Sequence, residues 1–266
     1  MTNKAPDEIF NAMVDAVSYW LGYQFKIGRE QLLHEASLRY PIADTITAKG
    51  IAINRIVLEK LHPVFLSKKI DLVIYAESVK EPEAEKDDSN LKQVYEFKLA
   101  KQKTNEEFEI EHQRVFDDVV RLAYYNLWFK KECYFLMCGD YIDFKNYFVG
   151  QVDLVIQSVR GKNVIKQTNT KEESEWNSNG LYKDWFGFSF GEKKEKEFKT
   201  DEVGSKNDWG LKHFQDNYEI RKEYKEKFND SIKIQTECVA IIPLSIAKAR
   251  THAAGIWKIE GIESSK

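Results

Sequence analysis

Three residues carry the most chemical information in this chain: Asp71 in the string KKIDLVIY, and Glu96 and Lys98 in QVYEFKLA. Both strings read as β-strands, rich in β-branched and aromatic residues. Side chains alternate faces along a strand, so Glu96 and Lys98 share one face and Phe97 points to the other. An acid and a lysine side by side on a rigid strand, with a second acid on a nearby strand, make a divalent-metal site beside a cation. A hard cation such as Mg²⁺ takes oxygen ligands from one or two carboxylates and from a substrate phosphate. It offsets developing charge and lowers the pKa of a bound water. Hydrolysis of a phosphodiester is the chemistry this set suits. The competing reading is a solvent-facing strand whose acids pair with lysines, an arrangement that contributes little to stability. The apolar neighbours of both acids favour a solvent-accessible cleft instead.

The elements that must hold these residues follow from hydrophobic spacing. Ile9, Phe10, Met13, Val14, Val17, Trp20 and Leu21 recur at helical intervals, with Asp7 as a plausible N-cap. A second helix is expected from about Glu35 or Ser37 to Ala48, with Pro41 near its first turn and Gly50 ending it. IAINRIVLEK and PVFL read as strand, then KKIDLVIYAES as a second, and KQVYEFKLA as a third after a polar, acidic loop. An amphipathic helix is expected over roughly Glu106 to Lys131, with Val115, Phe116, Val119, Val120, Leu122, Ala123 and Leu127 as its apolar stripe. CYFLMCGD is almost wholly apolar and reads as a buried central strand. The order is helix, three strands, helix, strand, which a mixed sheet with a helix packed on each face satisfies.

The second half gives less. QVDLVIQSV reads as a strand, and residues 161–208 as polar and irregular, with the charge run GEKKEKEFKTDE as a solvated loop or helix face. WGLKHFQDNYEIRKEYKEKF suggests a charged helix; IKIQTECVAIIPL and AAGIWKIEGI suggest two closing strands. The expected arrangement is a single domain over 1–266, with residues 151–266 a C-terminal extension of the core.

Composition excludes some classes. The 266 residues, 42% hydrophobic, can bury a sizeable core. With 40 basic and 43 acidic residues the net charge is −3, not the footprint of a strongly basic nucleic-acid binder, although a local basic groove is compatible with it. Cys133, Cys138 and Cys238 form no Cys-x-x-Cys pair and read as buried free thiols in a reducing compartment. No signal-peptide layout and no membrane-length apolar run is present, so the expectation is a soluble cytoplasmic protein. There is no P-loop motif and hence no reason to invoke ATP.

The order of elements, together with Glu35, Asp71 and the Glu96-Phe97-Lys98 tripeptide, resembles the PD-(D/E)XK nuclease superfamily over roughly residues 30–140. That family has a restriction-endonuclease-like αβββαβ core, with the aspartate on the second core strand, E-x-K on the third, and often a glutamate on the first helix. Ile70 stands where the family name would put proline, and the Asp71–Glu96 gap carries an inserted loop. The resemblance implies a Mg²⁺-dependent nuclease, with Mn²⁺ as a substitute, acting on DNA in preference to RNA. It implies that Asp71, Glu96 and the backbone carbonyl of Phe97 bind the metal. Lys98 would orient or activate the attacking water and offset phosphate charge, and Glu35 would support the metal or a second ion. Gln113 would occupy the place of a polar active-site residue on the following helix. A catalytically inactive binding or assembly protein of the same fold is the first alternative, and an unrelated α/β protein with incidental strand acids is the second. A homodimer is left open.

Blander readings stand beside several of these residues. Glu35 and Arg39 are spaced for an ordinary helix ion pair. Asp117 and Asp118, with Arg114 and Arg121, read as a solvated helix face, and Lys101 and Lys103 as loop-edge charges. His34, His62, His112, His213 and His252 lack metal-ligand spacing. Trp176, Trp185, Trp209 and Trp257 read as core rather than as base-stacking platforms.

Overall fold

Seven strands form one mixed sheet in the order β1-β2-β3-β4-β9-β8-β7. This computed structural model describes residues 7–29, 32–77, 88–100, 105–144, 154–159, 162–167, 184–200, 211–228 and 230–263. The chain runs α1 (Glu8–Lys26), a 3₁₀ turn (Glu35–Leu38), α2 (Arg39–Ala48), β1 (Ile56–Leu61), β2 (Lys69–Tyr75), β3 (Leu91–Ala100), α3 (Asn105–Phe129) and β4 (Glu132–Asp140). Then follow β5 (Leu154–Val159), β6 (Lys162–Gln167), β7 (Lys193–Lys199), α4 (Leu211–Asn217), α5 (Lys222–Lys225), β8 (Ser231–Ile241), α6 (Leu244–Arg250) and β9 (His252–Ile262). Among the described residues only the β3–β4 pair is parallel; its crossover is α3, as a parallel connection requires. β5 and β6 make a separate antiparallel hairpin.

The two long helices cover opposite faces. Phe10 of α1 packs on Tyr134 of β4, with ring centroids 4.8 Å apart. The next residue, Phe135, points the other way and lies in register with Glu96, which Arg121 of α3 grips. Asp7 caps α1 by accepting the Ile9 N–H at 3.1 Å. The expected apolar stripe of α3 is buried throughout. The three cysteines are free and buried. No described helix is long and apolar enough to cross a membrane.

Four local expectations need correction. The helix expected from Glu35 opens with a 3₁₀ turn, because the ring of Pro41 obstructs an α-helical carbonyl four residues earlier. The first strand covers only Ile56–Leu61, not residues 51–60 and 63–66. Pro63 has no N–H to give a ladder; Phe65 forms an isolated bridge with Ile220 instead. That bridge, with Leu66 N–H donating to Glu219 O and Arg221 N–H to Val64 O, also breaks the single helix expected over 209–228 into α4 and α5. The charge run 193–199 is the edge strand β7, cross-linked to β8 by Lys193–Glu237 and Lys233–Glu195. Charged side chains are a common means by which edge strands resist pairing with another chain.

The C-terminal strands are not appended at a distance. β9 lies directly against β4, with Ala253, Ala254, Ile256, Trp257 and Ile259 fully buried. Gly261 is obligatory there: a Cβ would overlap the carbonyl oxygen of Ala123 on α3.

Candidate functional site

Antiparallel pairing of β2 with β3 matches Leu72 to Tyr95, so the same register brings Asp71 opposite Glu96. Residues directly opposite share a face, and Lys98 lies two positions on along that face. The Phe97 N–H donates to Asp71 Oδ2 at 2.8 Å, locking the aspartate against β3. The other Asp71 oxygen accepts from Arg39 Nη2 at 2.5 Å and Nε at 3.1 Å. Arg39 also holds Glu59, which has a left-handed backbone (φ 55°) and a second partner in Lys69. The Glu35–Arg39 helix pair therefore does not form. Arg39 reaches across to β1 and β2, and Glu35 turns to Lys98.

Lys98 Nζ lies 2.8 Å from Glu35 Oε2 and 2.8 Å from Asp118 Oδ2. Asp118 Oδ1 in turn accepts from Arg121 Nη2 at 2.5 Å, and the same nitrogen donates to Glu96 Oε1 at 3.1 Å. Arg121 Nη1 reaches the Tyr218 hydroxyl at 3.3 Å, and that hydroxyl donates to Asp117 Oδ2 at 2.8 Å. Four acids, Glu35, Asp71, Glu96 and Asp118, thus interlock with three cations, Arg39, Lys98 and Arg121.

Asp117, Asp118 and Arg121 are the residues sequence reasoning misplaced: they are buried, not a solvated helix face. A signal was present. The surrounding stretch, VFDDVVRLAYY, is apolar on all sides of the helix, and such a helix is buried all round. Tyr218 gave no signal, because the segment carrying it reads as part of a charged helix. Gln113, expected near the site, lies one turn before Asp117 and about 140° round the helix from Asp118. It is partly buried. Lys101 and Lys103, and the tryptophans Trp176 and Trp209, fall outside the described residues, as do the side chains of His112 and His213. His34 caps the 3₁₀ turn that carries Glu35.

The expected open cleft is not what the side chains form. Asp71, Glu96 and Lys98 are only 4%, 3% and 4% exposed, whereas the Glu35 side chain, at 38%, makes the rim. Burial sets the electrostatics. It pushes the Glu96 carboxyl well above the ordinary range; Arg121 opposes this, while Asp71, close enough to share a hydrogen bond, and Asp118 reinforce it. Glu35 is raised to about 7 by burial, against the pull of Lys98, with Asp118 and Asp71 adding to the rise. Burial alone would lower Lys98, but Asp118 and Glu35 outweigh it and keep the ammonium charged.

These acids are hard oxygen donors of the kind Mg²⁺ takes. Burial, with Asp71 and Asp118 nearby, makes a charged Glu96 costly, and Arg121 opposes that cost. As they stand, however, Arg39 and Arg121 occupy the carboxylates of Asp71 and Glu96. Among the described residues no group of three or more His, Cys, Asp or Glu side chains is arranged to hold a metal. A divalent ion would need both Arg39 to give up Asp71 and Arg121 to give up Glu96; Glu59 and Asp118 already give the two arginines second anchors. Comparison with protein-family models, with curated proteins and with solved structures finds no match for this chain.

Proposed function

We propose that this chain is a divalent-metal-dependent nuclease of the restriction-endonuclease-like, PD-(D/E)XK kind, hydrolysing phosphodiester bonds in DNA. The observation that carries the reading is the meeting of Asp71, Glu96 and Lys98 on one face of adjacent strands. The order of helix, three strands, helix and strand around them supports it.

Asp71, Glu96 and the Phe97 carbonyl would hold Mg²⁺ or Mn²⁺, with Glu35 in support. A metal bound there supplies Lewis-acid polarisation of a phosphoryl oxygen and an acidified water. Lys98, kept charged by Glu35 and Asp118, offers a fixed ammonium to phosphate oxygens and to the attacking water. Asp118 positions that ammonium. Gln113 is carried in this reading as a polar residue at the edge of the site. Buried free thiols suit a reducing compartment such as the cytoplasm.

One observation favours the second reading, a non-catalytic binding or assembly protein of the same fold. Arg39 and Arg121 neutralise Asp71 and Glu96 internally, as they would in a site that has no need of a metal. Incubation with single- and double-stranded DNA and RNA, with Mg²⁺ or Mn²⁺ and with chelator, separates the two. Metal-dependent cleavage that Lys98→Ala slows upholds the nuclease. No cleavage of any substrate by the wild-type chain upholds the binding protein.

A further inference from the structure

We infer that an oxyanion site of the phosphate class lies beside the acid–base cluster, in a cavity between β1 and Arg221. The cavity is about 400 Å³ and is lined by Glu59, Lys60, His62, Asp88 and Arg221 among others. Two acids and two bases line it, but they do not all pair with one another. Lys60, buried on β1, pairs with Asp88 at 3.0 Å. Glu59 is committed to Arg39 and Lys69. Arg221 is left over: among the described residues its guanidinium pairs with no acid, and its Nε is buried with no hydrogen-bond partner. A buried donor left without a partner is costly.

The backbone holds Arg221 in that position. Its N–H donates to Val64 O at 2.9 Å, in the extended segment that pairs with residues 64–66. His62 adds a neutral donor. Its Nδ1 accepts the N–H groups of Val64 and Phe65 at 3.1 and 3.3 Å, so the ring proton sits on Nε2. Burial, with the charges of Arg121 and Arg221, keeps the ring from taking a second proton. The Arg221 guanidinium, unpaired among the described residues, the Lys60 ammonium held by Asp88 and the His62 imidazole line one polar cavity. A phosphate group, with several acceptor oxygens and a geometry that a guanidinium grips bidentately, is the ligand they recognise.

Glu59 belongs both to this cavity and, through Arg39, to the Asp71 cluster. On the nuclease reading, which this step rests on, the phosphate is one of a nucleic-acid backbone, next to the bond being cleaved. Free phosphate is the other source of the same chemistry.

Calorimetric titration in chelator tests this, with inorganic phosphate and with a single-stranded oligonucleotide, on wild type, Arg221→Gln and Arg221→Lys, each checked for folding by circular dichroism. Phosphate should bind wild type, weaken at least about tenfold in R221Q and recover largely in R221K. Oligonucleotide binding should weaken in R221Q, and its log–log salt dependence should become shallower by about 0.7. Phosphate binding that depends on Arg221, with no oligonucleotide bound, upholds the oxyanion site and removes its assignment to a nucleic-acid backbone. Equal phosphate affinity in R221Q and wild type, or no phosphate binding at all, overturns the site whatever the oligonucleotide does.

Discussion

The Lys98 ammonium sits 2.8 Å from the Asp118 carboxylate, joining strand β3 to helix α3 through a contact buried at both ends. Removing one partner of such a pair leaves the other charge desolvated and uncompensated. Asp118→Ala should destabilise the fold by about 3–5 kcal/mol, and Asp118→Asn by less, since an amide still accepts from Lys98. Urea denaturation of both variants checks this. A loss under about 1 kcal/mol in D118A would mean that Glu35 and water suffice for Lys98.

Arg39 competes with any cation for Asp71. Arg39→Gln should therefore raise affinity for Mn²⁺, by roughly tenfold if one charge-assisted hydrogen bond is the barrier. Titration of Mn²⁺ into R39Q and wild type reads this directly. Unchanged or weaker binding would mean that Arg39 does not guard the aspartate.

Glu35 makes stability depend on pH. Its carboxyl is raised to about 7 in the folded chain from an ordinary value of 4.5, so folding favours its protonated form. Its stabilising contribution is full below about 4.5 and is lost as pH rises through about 7. The stability of wild type relative to Glu35→Gln should thus fall between pH 5 and pH 8. Because Glu35 is only half buried, solvent screening keeps the effect small. Thermal melts of both proteins across that range give the sign, and a difference that grows with pH would contradict it.

Much of this site was legible from the strand period alone. Alternation put Glu96 and Lys98 on one face, but the apolar flanks suggest the walls of an open cleft, whereas they bury Asp71, Glu96 and Lys98. What the period could not give was the third dimension. Asp118 and Arg121 lie three apart on a helix, a spacing shared by countless surface pairs, and only the apolar residues all round them betrayed burial. The position of β9 in mid-sheet is a non-local pairing between residues 133–140 and 252–259, on which local pattern is silent. Tyr218 and Arg221 were hidden because Phe65 pairs with Ile220, pulling a helical-looking segment into extended form.

That mid-sheet pairing makes Gly261 sensitive. Gly261→Ala would push β9 off α3, since Ala123 O leaves no room for a methyl and Asn126 Oδ1 accepts the Gly261 N–H at 3.0 Å. A loss of about 1–3 kcal/mol is expected, with the lowered melting temperature as the readout. A melting temperature equal to wild type would show that the strand can shift freely.

The central claim is that Asp71 and Glu96 together hold a divalent ion. Calorimetric titration of Mn²⁺ into wild type, Asp71→Asn, Glu96→Gln and Lys98→Ala tests it most directly. The account predicts one site in wild type, loss of binding in D71N and E96Q, and binding largely kept in K98A, because a lysine is not a ligand for a cation. Binding by D71N or E96Q equal to wild type, or no binding by wild type at any Mn²⁺ concentration, would contradict it.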